Sequence, residues 1–226
     1  MTDVAAAARA ALLGIRLRPT IDLVGLDALL GSMSIPVDEL ITLVGRLEVA
    51  GLVERRGETA PGWRLTADGR HEGERLLAAE LDERVIGTSV TRCYEQFVAQ
   101  NGPLLHACTD WQLRDPTPGA LVVNDHSDRE YDRAVIDRLV DVHNAVSPVC
   151  DELAQLLPRF AGYRPRFDDA MRRIEGGDLG SLDTPPAVDK VSVAMDHAES
   201  YHSIWFELHE HLIATVGADR AAEPLP

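Results

Sequence analysis

The stretch from Leu26 to Arg70 constrains this chain more than any other: LDALLGSMSIPVDELITLVGRLEVAGLVERRGETAPGWRLTADGR. Leu26, Leu29 and Leu30 give a short helix one apolar side, and Gly31–Ser34 supply a turn. Pro36 suits a first helical position, where its missing N–H would have no intrahelical acceptor. Leu40, Ile41, Val44 and Leu47 recur at the three-to-four spacing that sets one helix face against a core. Gly51 ends that helix. Leu52–Arg56 and Trp63–Thr66 then read as strands, with turn residues between them at Gly57–Gly62. Thr66 can cap a following helix that runs to about Leu81.

This order is a helix-turn-helix followed by a β-hairpin wing. Gly51-Leu52-Val53-Glu54-Arg55 and Leu65-Thr66-Ala67-Asp68-Gly69-Arg70 resemble the GLVER…LTxxGR pattern of multiple-antibiotic-resistance-type (MarR-like) winged-helix regulators. The resemblance covers roughly the first third of the chain. It implies a dimeric transcriptional regulator that binds double-stranded DNA. The second helix, Pro36–Ala50, would enter the major groove, with Thr42 and Arg46 as base or phosphate contacts. Arg55, Arg56 and Arg64 would hold flanking phosphates. Asp38 and Glu39 share the outward face of that helix and oppose a phosphate backbone.

The rest of the chain reads as helices. Val4–Leu17 is Ala-rich and apolar on one side, as expected of a helix that packs on the winged unit. From Asp82 to Leu105, Ile86, Val90, Cys93, Phe97 and Leu104 mark a buried stripe, with Gly87 a break point and Gly102-Pro103 a local distortion. His106, Cys108 and Asp110 alternate, which favours a strand. Residues 115–128 read as a loop ending in the polar run Asn124-Asp125-His126-Ser127-Asp128. A long amphipathic helix follows from Arg129 to Leu157, with Pro148 expected to kink it. A shorter helix spans Phe160–Glu175, interrupted at Pro165, and a last one Val188–Val216. The expected fold is mainly α: a winged helix-turn-helix domain with a small hairpin wing over residues 1–81, then an α-helical bundle over 82–226 for effector binding or oligomerisation.

Charge separates these halves. The net charge is −15, so nonspecific attraction to nucleic acid or to an anionic membrane is not expected. Residues 1–80 hold nine basic against twelve acidic side chains, and the remainder thirteen against twenty-five. The N-terminal module is therefore the one closer to neutrality. Cys93, Cys108 and Cys150 show no paired spacing, and the N-terminus lacks a basic-then-apolar signal, which together suit a cytoplasmic protein. No apolar run approaches the ~20 residues that span a bilayer.

Fingerprints of enzymes are missing: there is no Gly-x-Ser-x-Gly elbow, phosphate loop or dinucleotide glycine pattern, and no cofactor is implied. Glu199 and His202 form Glu-x-x-His, the spacing by which a bundle helix presents two metal ligands, but no second copy exists and no metal site is assigned. A mononuclear site using His202, Glu199 or His209 with His143 stays open. The better site is a pocket between helices for a small aromatic effector, anionic or uncharged. Trp111, Arg114, His143, Tyr201, Trp205 and His209 would line it, the alternative being that the tryptophans are core anchors. Thr109–Arg114 and Trp205–Glu210 also resemble modules attached to phosphoenolpyruvate-type phosphotransferases. That resemblance implies a second function: an accessory module that docks on a metabolic enzyme without binding DNA.

Overall fold

The computed structural model describes residues 4–18, 21–30, 35–56, 62–115, 119–178, 182 and 200–219, the side chains at 28–30 excepted. The turn expected at Gly31–Ser34, the hairpin tip at 57–61, residues 188–199 of the expected last helix and the tail from Ala221 lie outside them. Among the described residues the chain is mainly helical, with two small antiparallel strand pairs. It divides into two compact units. One comprises the chain up to Gly87 together with residues from Glu210 onward, the other Thr88–His209.

The first unit forms around one apolar cluster. Ala11, Leu12 and Ile15 of α1 (Val4–Leu17) meet Leu26 of α2 (Leu23–Leu30), Leu40, Val44 and Leu47 of α3 (Val37–Val49), and Val53 of β1 (Val53–Arg56). Each of the leucine, isoleucine and valine side chains contributes roughly 1.5–3 kcal/mol when taken out of water. Pro36 stands one place before the helix instead of inside it. Its extended backbone (φ −58, ψ 143) makes it the cap, with its carbonyl accepting from Leu40 N at 2.9 Å. Ile41, expected in the core stripe, is exposed. Leu40, Val44 and Leu47 alone suffice to cover the core side of α3, and the helical turn carries Ile41 outward.

A set of short-range contacts then closes α3 onto the strands and α4. Gly51 takes φ +73, a left-handed conformation that costs any residue with a Cβ about 1–2 kcal/mol. Its carbonyl accepts the Thr66 hydroxyl at 2.7 Å, and the Thr66 oxygen in turn accepts from Gly69 N at 3.0 Å, capping α4 (Ala67–Arg84) as its sequence predicts. Thr66 N donates to Leu52 O at 3.1 Å. β1 pairs antiparallel with β2 (Gly62–Leu65), Val53 opposite Leu65, and Trp63 adds a bridge to Ile21 through Trp63 N to Ile21 O at 3.0 Å. Gly69 is where α4 meets β1 most tightly: a Cβ there would lie 1.8 Å from Leu52 O.

α4 stops at Val85, which holds φ 56, and α5 (Gly87–Val98) starts two residues later. The break therefore falls beside the glycine that sequence marked, but a β-branched residue makes the turn, at a conformational cost. The second unit continues with α6 (Asn101–Gln112), β3 (Leu113–Arg114), β4 (Val122–Val123), α7 (Arg129–Leu156), a 3₁₀ turn (Pro158–Phe160), α8 (Tyr163–Glu175) and the first part of α9 (Tyr201–Val216). The strand expected at His106–Asp110 is helical. Leu104, Ala107, Cys108 and Trp111 bury at helical spacing, and that longer periodicity outweighs three alternating residues. Pro103 and Pro165 each occupy a first turn, where the absent N–H interrupts nothing, so neither distorts its helix. Pro148 does lie inside α7, which continues through it, with Ser147 Oγ donating to His143 O at 2.6 Å. The expected loop at 115–128 is partly a hairpin: Leu113 pairs with Val123 and Arg114 with Val122. No helix among the described residues is long and apolar enough to cross a membrane.

Two substitutions test this account. Gly69→Ala should destabilise the first unit by about 2 kcal/mol or more, because Leu52 O is backbone and cannot move aside. Val85→Gly should stabilise it by about 1 kcal/mol through relief of the left-handed turn. Urea-unfolding midpoints check both, and equal midpoints for Gly69→Ala and the parent chain would contradict the close approach.

Candidate functional site

The most exposed element with a defined chemistry is the outer side of α3 and the hairpin beside it. Asp38, Ile41, Thr42, Arg46 and Val49 all face solvent. Asp38 and Glu39 sit in the first turn, where carboxylates favour the positive end of the helix dipole. Thr42 turns its hydroxyl back to Asp38 O at 2.9 Å. Arg46 and Arg56 make no ion pair or hydrogen bond among the described residues. Arg55 and Arg64 do: Arg55 Nε lies 3.3 Å from Glu48 and its guanidinium 5.3 Å from the Trp63 ring centre, while Arg64 Nε meets Glu54 at 2.7 Å. Strand alternation puts Arg55 on the Trp63 side of the hairpin and Arg56 and Arg64 on the other, and Arg55 and Arg64 already hold carboxylates. Exposed pairs of this kind are worth only about 0–1 kcal/mol.

In the second unit the six expected ligand residues fall into two groups. His143, Tyr201, Trp205 and His209 form one buried line with Phe97. The Trp205 ring stacks on Phe97 at 4.2 Å, and its Nε1 donates to Asn101 Oδ1 at 2.9 Å. His209 tilts against Phe97 at 5.8 Å. Tyr201 is fully buried, with its hydroxyl 3.4 Å from His143 Nδ1, and His143 Nε2 reaches Asp168 Oδ1 at 3.1 Å. A neutral His143 with its proton on Nε2 satisfies both contacts, as donor to Asp168 and acceptor from Tyr201. Burial lowers the His143 pKa despite the Asp168 carboxylate, and burial raises that of Tyr201 well above its usual value. These side chains pack the core of the unit.

Trp111 and Arg114 form the other group. Ten residues separate Trp111 from Asn101 along α6, a rise of about 15 Å, so Trp111 is remote from the Trp205 end of that helix. Around it lies a polar cluster that sequence reasoning did not single out. Asn124 and Asp132 are buried. Asn124 Nδ2 donates to Trp111 O at 3.1 Å and to Asp132 Oδ1 at 2.8 Å, and Asn124 Oδ1 accepts from His126 N at 3.2 Å. His126 Nδ1 faces the two Asp132 oxygens at 3.2 and 3.1 Å, and its ring lies 4.6 Å from that of Trp111. His126 holds φ 57. Arg114 Nη2 lies 3.3 Å from Asp125, while its Nε is buried with no hydrogen-bond partner. The only trace of this cluster in the sequence was the polar run before Asp128.

Metal and thiol chemistry find little support. Glu199 lies outside the described residues, and among the described residues no three His, Cys, Asp or Glu side chains group as metal ligands. His143 is engaged as described, and His202 packs its ring 5.0 Å from Phe206. All three cysteines are buried as free thiols. Burial pushes Cys93 up to about 11 and Cys150 up to about 12, so both stay protonated and weakly nucleophilic near neutral pH. No family model matches the chain, and no curated protein or solved structure matches it either.

His143 supplies a pH test of the core. Burial favours its neutral form, so the unfolded chain takes up a proton at this residue that the folded chain refuses. Its contribution to stability is full above the ordinary value of 6.5 and is lost as pH falls from there toward the lowered folded value. Unfolding midpoints should therefore drop between about pH 7 and about pH 5. His143→Gln should flatten that drop, and a decline of undiminished slope in the variant would place its origin elsewhere.

Proposed function

We propose that the chain is a MarR-like winged helix-turn-helix regulator that binds double-stranded DNA as a homodimer, its second unit serving as a helical sensor or dimerisation domain. The observation that carries this reading is the open outer side of α3 beside an exposed hairpin, with Arg46 and Arg56 uncommitted among the described residues. The order α2, α3, β1, β2 and the Ile21–Trp63 bridge along the outer edge of β2 support it. In this reading α3 enters the major groove, where Thr42 and Arg46 meet base edges or phosphates and Ile41 offers an apolar contact to thymine methyl groups. Arg55, Arg56 and Arg64 hold flanking phosphates, the first and last exchanging Glu48 and Glu54 for the DNA backbone.

Asp38 and Glu39 act against nonspecific binding. With a net charge of −15, the protein gains little from bulk attraction, so affinity rests on a few placed arginines and fades quickly with salt. A second reading keeps its own support: Ile41 and Val49 are 54% and 91% exposed on the same helix as two carboxylates. Such a face suits a protein partner, and the module would then dock on a metabolic enzyme without touching DNA.

Selection from a random duplex pool at low salt, followed by a salt titration of the selected sequence, separates the two. The first reading expects retention, and Arg46→Ala with Arg56→Ala should lower the slope of log affinity against log salt by roughly 2 per protomer, about 0.9 for each lost phosphate contact. Circular dichroism should stay unchanged. An unaltered slope removes this interface, and no retention at low salt favours the docking reading.

A further inference from the structure

Gly45 stands in the middle of α3, where glycine weakens a helix more than any residue except proline. Nothing inside the chain calls for it. Gly51 is required by its left-handed backbone and Gly69 by Leu52 O, and at Gly73 a Cβ would already touch Leu12 Cβ at 3.5 Å. Gly45 has an ordinary helical backbone, and a Cβ built on it would meet no described atom within 4 Å. The space kept free there opens on the side of α3 away from Leu40, Val44 and Leu47, which face the core.

Helix geometry supplies the surroundings. The residues three and four places away, Ile41, Thr42, Glu48 and Val49, are the surface neighbours of position 45, with Cβ atoms about 5–6 Å from it. Ile41, Thr42 and Val49 are exposed and carry methyl groups. Thr42 spends its hydroxyl hydrogen on Asp38 O at 2.9 Å, and the Glu48 carboxylate holds Arg55 Nε at 3.3 Å. Gly45 itself is half-buried, although its Cβ position is empty. The result is a notch in the helix surface with backbone for a floor, largely apolar walls and the volume of one missing methyl group.

We infer that this notch seats the methyl group of a thymine, so that α3 selects duplexes with a T·A pair at that point of each half-site. The inference rests on the DNA-binding reading above and assigns one base of the half-site to one residue of the helix. A helix with its side chains is about 10–12 Å across and the major groove about 12 Å wide. One methyl group more or less on the leading side therefore decides how closely the helix approaches the base edges. Thymine alone presents a methyl group there, whereas cytosine offers an amino donor and leaves the notch empty. The contact needs no charge, which suits a protein whose net charge of −15 gives it little bulk attraction for DNA. Arg46, the adjacent residue, is exposed and uncommitted among the described residues, so it is available to a phosphate. A protein partner would also gain from a bare position, through closer helix packing, but it would be indifferent to a base methyl.

The test uses the full chain and the duplex it selects from a random pool, with thymines replaced one at a time by uracil, which removes the methyl group and nothing else. Affinities are measured at fixed salt. At one position in each half-site the parent chain should lose roughly fourfold in affinity, the effect of burying one methyl. Gly45→Ala should bind the thymine duplex roughly tenfold more weakly, because its Cβ takes the place of the methyl. The same uracil replacement should restore most of that loss. The urea midpoint of Gly45→Ala should equal or exceed the parent's, since alanine favours the helix, which separates the effect from unfolding. Gly45→Ala binding the selected duplex as well as the parent does, an equal loss on thymine and uracil duplexes, or a parent chain indifferent to every thymine methyl would each overturn the inference while leaving DNA binding in place. A chain that retains no duplex at low salt overturns the DNA-binding reading and the inference with it.

Discussion

The first unit depends on the contact between Gly51, Leu52, Thr66 and Gly69. One threonine hydroxyl donates to the carbonyl that ends α3 while its oxygen accepts the first turn of α4. The backbone of Thr66 also holds Leu52, the residue that leads into β1. This works only if α4 approaches the strand within backbone distance, which is why position 69 lacks a side chain. Helix end, hairpin base and helix start are thus fixed by a few polar contacts at adjoining points. The apolar cluster of α1, α2 and α3 supplies most of the driving force, but apolar contacts are not directional. The hydrogen bonds decide where the hairpin leaves the helix, and Arg55 of the hairpin then meets Glu48 of α3.

That placement explains why the charged surface is ambiguous in kind. α3 needs carboxylates in its first turn to offset its dipole, since Pro36 offers no side-chain cap. Asp38 and Glu39 fill that need while facing outward, so stability of the helix and attraction for phosphate compete for the same positions. The cations are correspondingly displaced to the end of the helix and to the strands. Arg55 and Arg64 stand against Glu48 and Glu54, exposed pairs of the kind worth only about 0–1 kcal/mol.

Much of this was legible in the sequence where a rule is local. The helical spacing over Val4–Leu17 and Arg129–Leu157, Gly51 as a helix end and Thr66 as a cap all follow from single-turn chemistry, and the structure agrees to within a residue. Errors arose where a local rule had two outcomes. Proline breaks a helix interior but not a first turn, so Pro103 and Pro165 could not be judged before the helix starts were known. Ile41 looked like core because its neighbours Leu40 and Val44 are, yet the stripe is narrower than the apolar spacing. The candidate ligand residues fared differently again. Ring-bearing residues were easy to find, but whether they line a site or fill a core depends on tertiary distance, and α6 separates Trp111 from Trp205 by its own length. Asn124, His126 and Asp132 were invisible for the same reason: a two-residue strand pairing that no periodicity announces brings them together.

Two half-buried histidines of the second unit, with similar partners, are hydrogen-bonded differently. His143 and His126 each face an aspartate and an aromatic ring. His143 uses both nitrogens, one toward Asp168 and one toward Tyr201, so its hydrogen-bonding capacity is consumed inside the protein. Among the described residues His126 uses Nδ1, toward Asp132, while Asn124 Nδ2 donates to Trp111 O and to the same carboxylate. A satisfied imidazole resists protonation, since a new proton on Nδ1 would displace the tyrosine hydroxyl. At His143 burial, which lowers its pKa, and the use of both ring nitrogens act together. His143 thus has both ring nitrogens engaged, whereas the contacts of His126 among the described residues are at Nδ1.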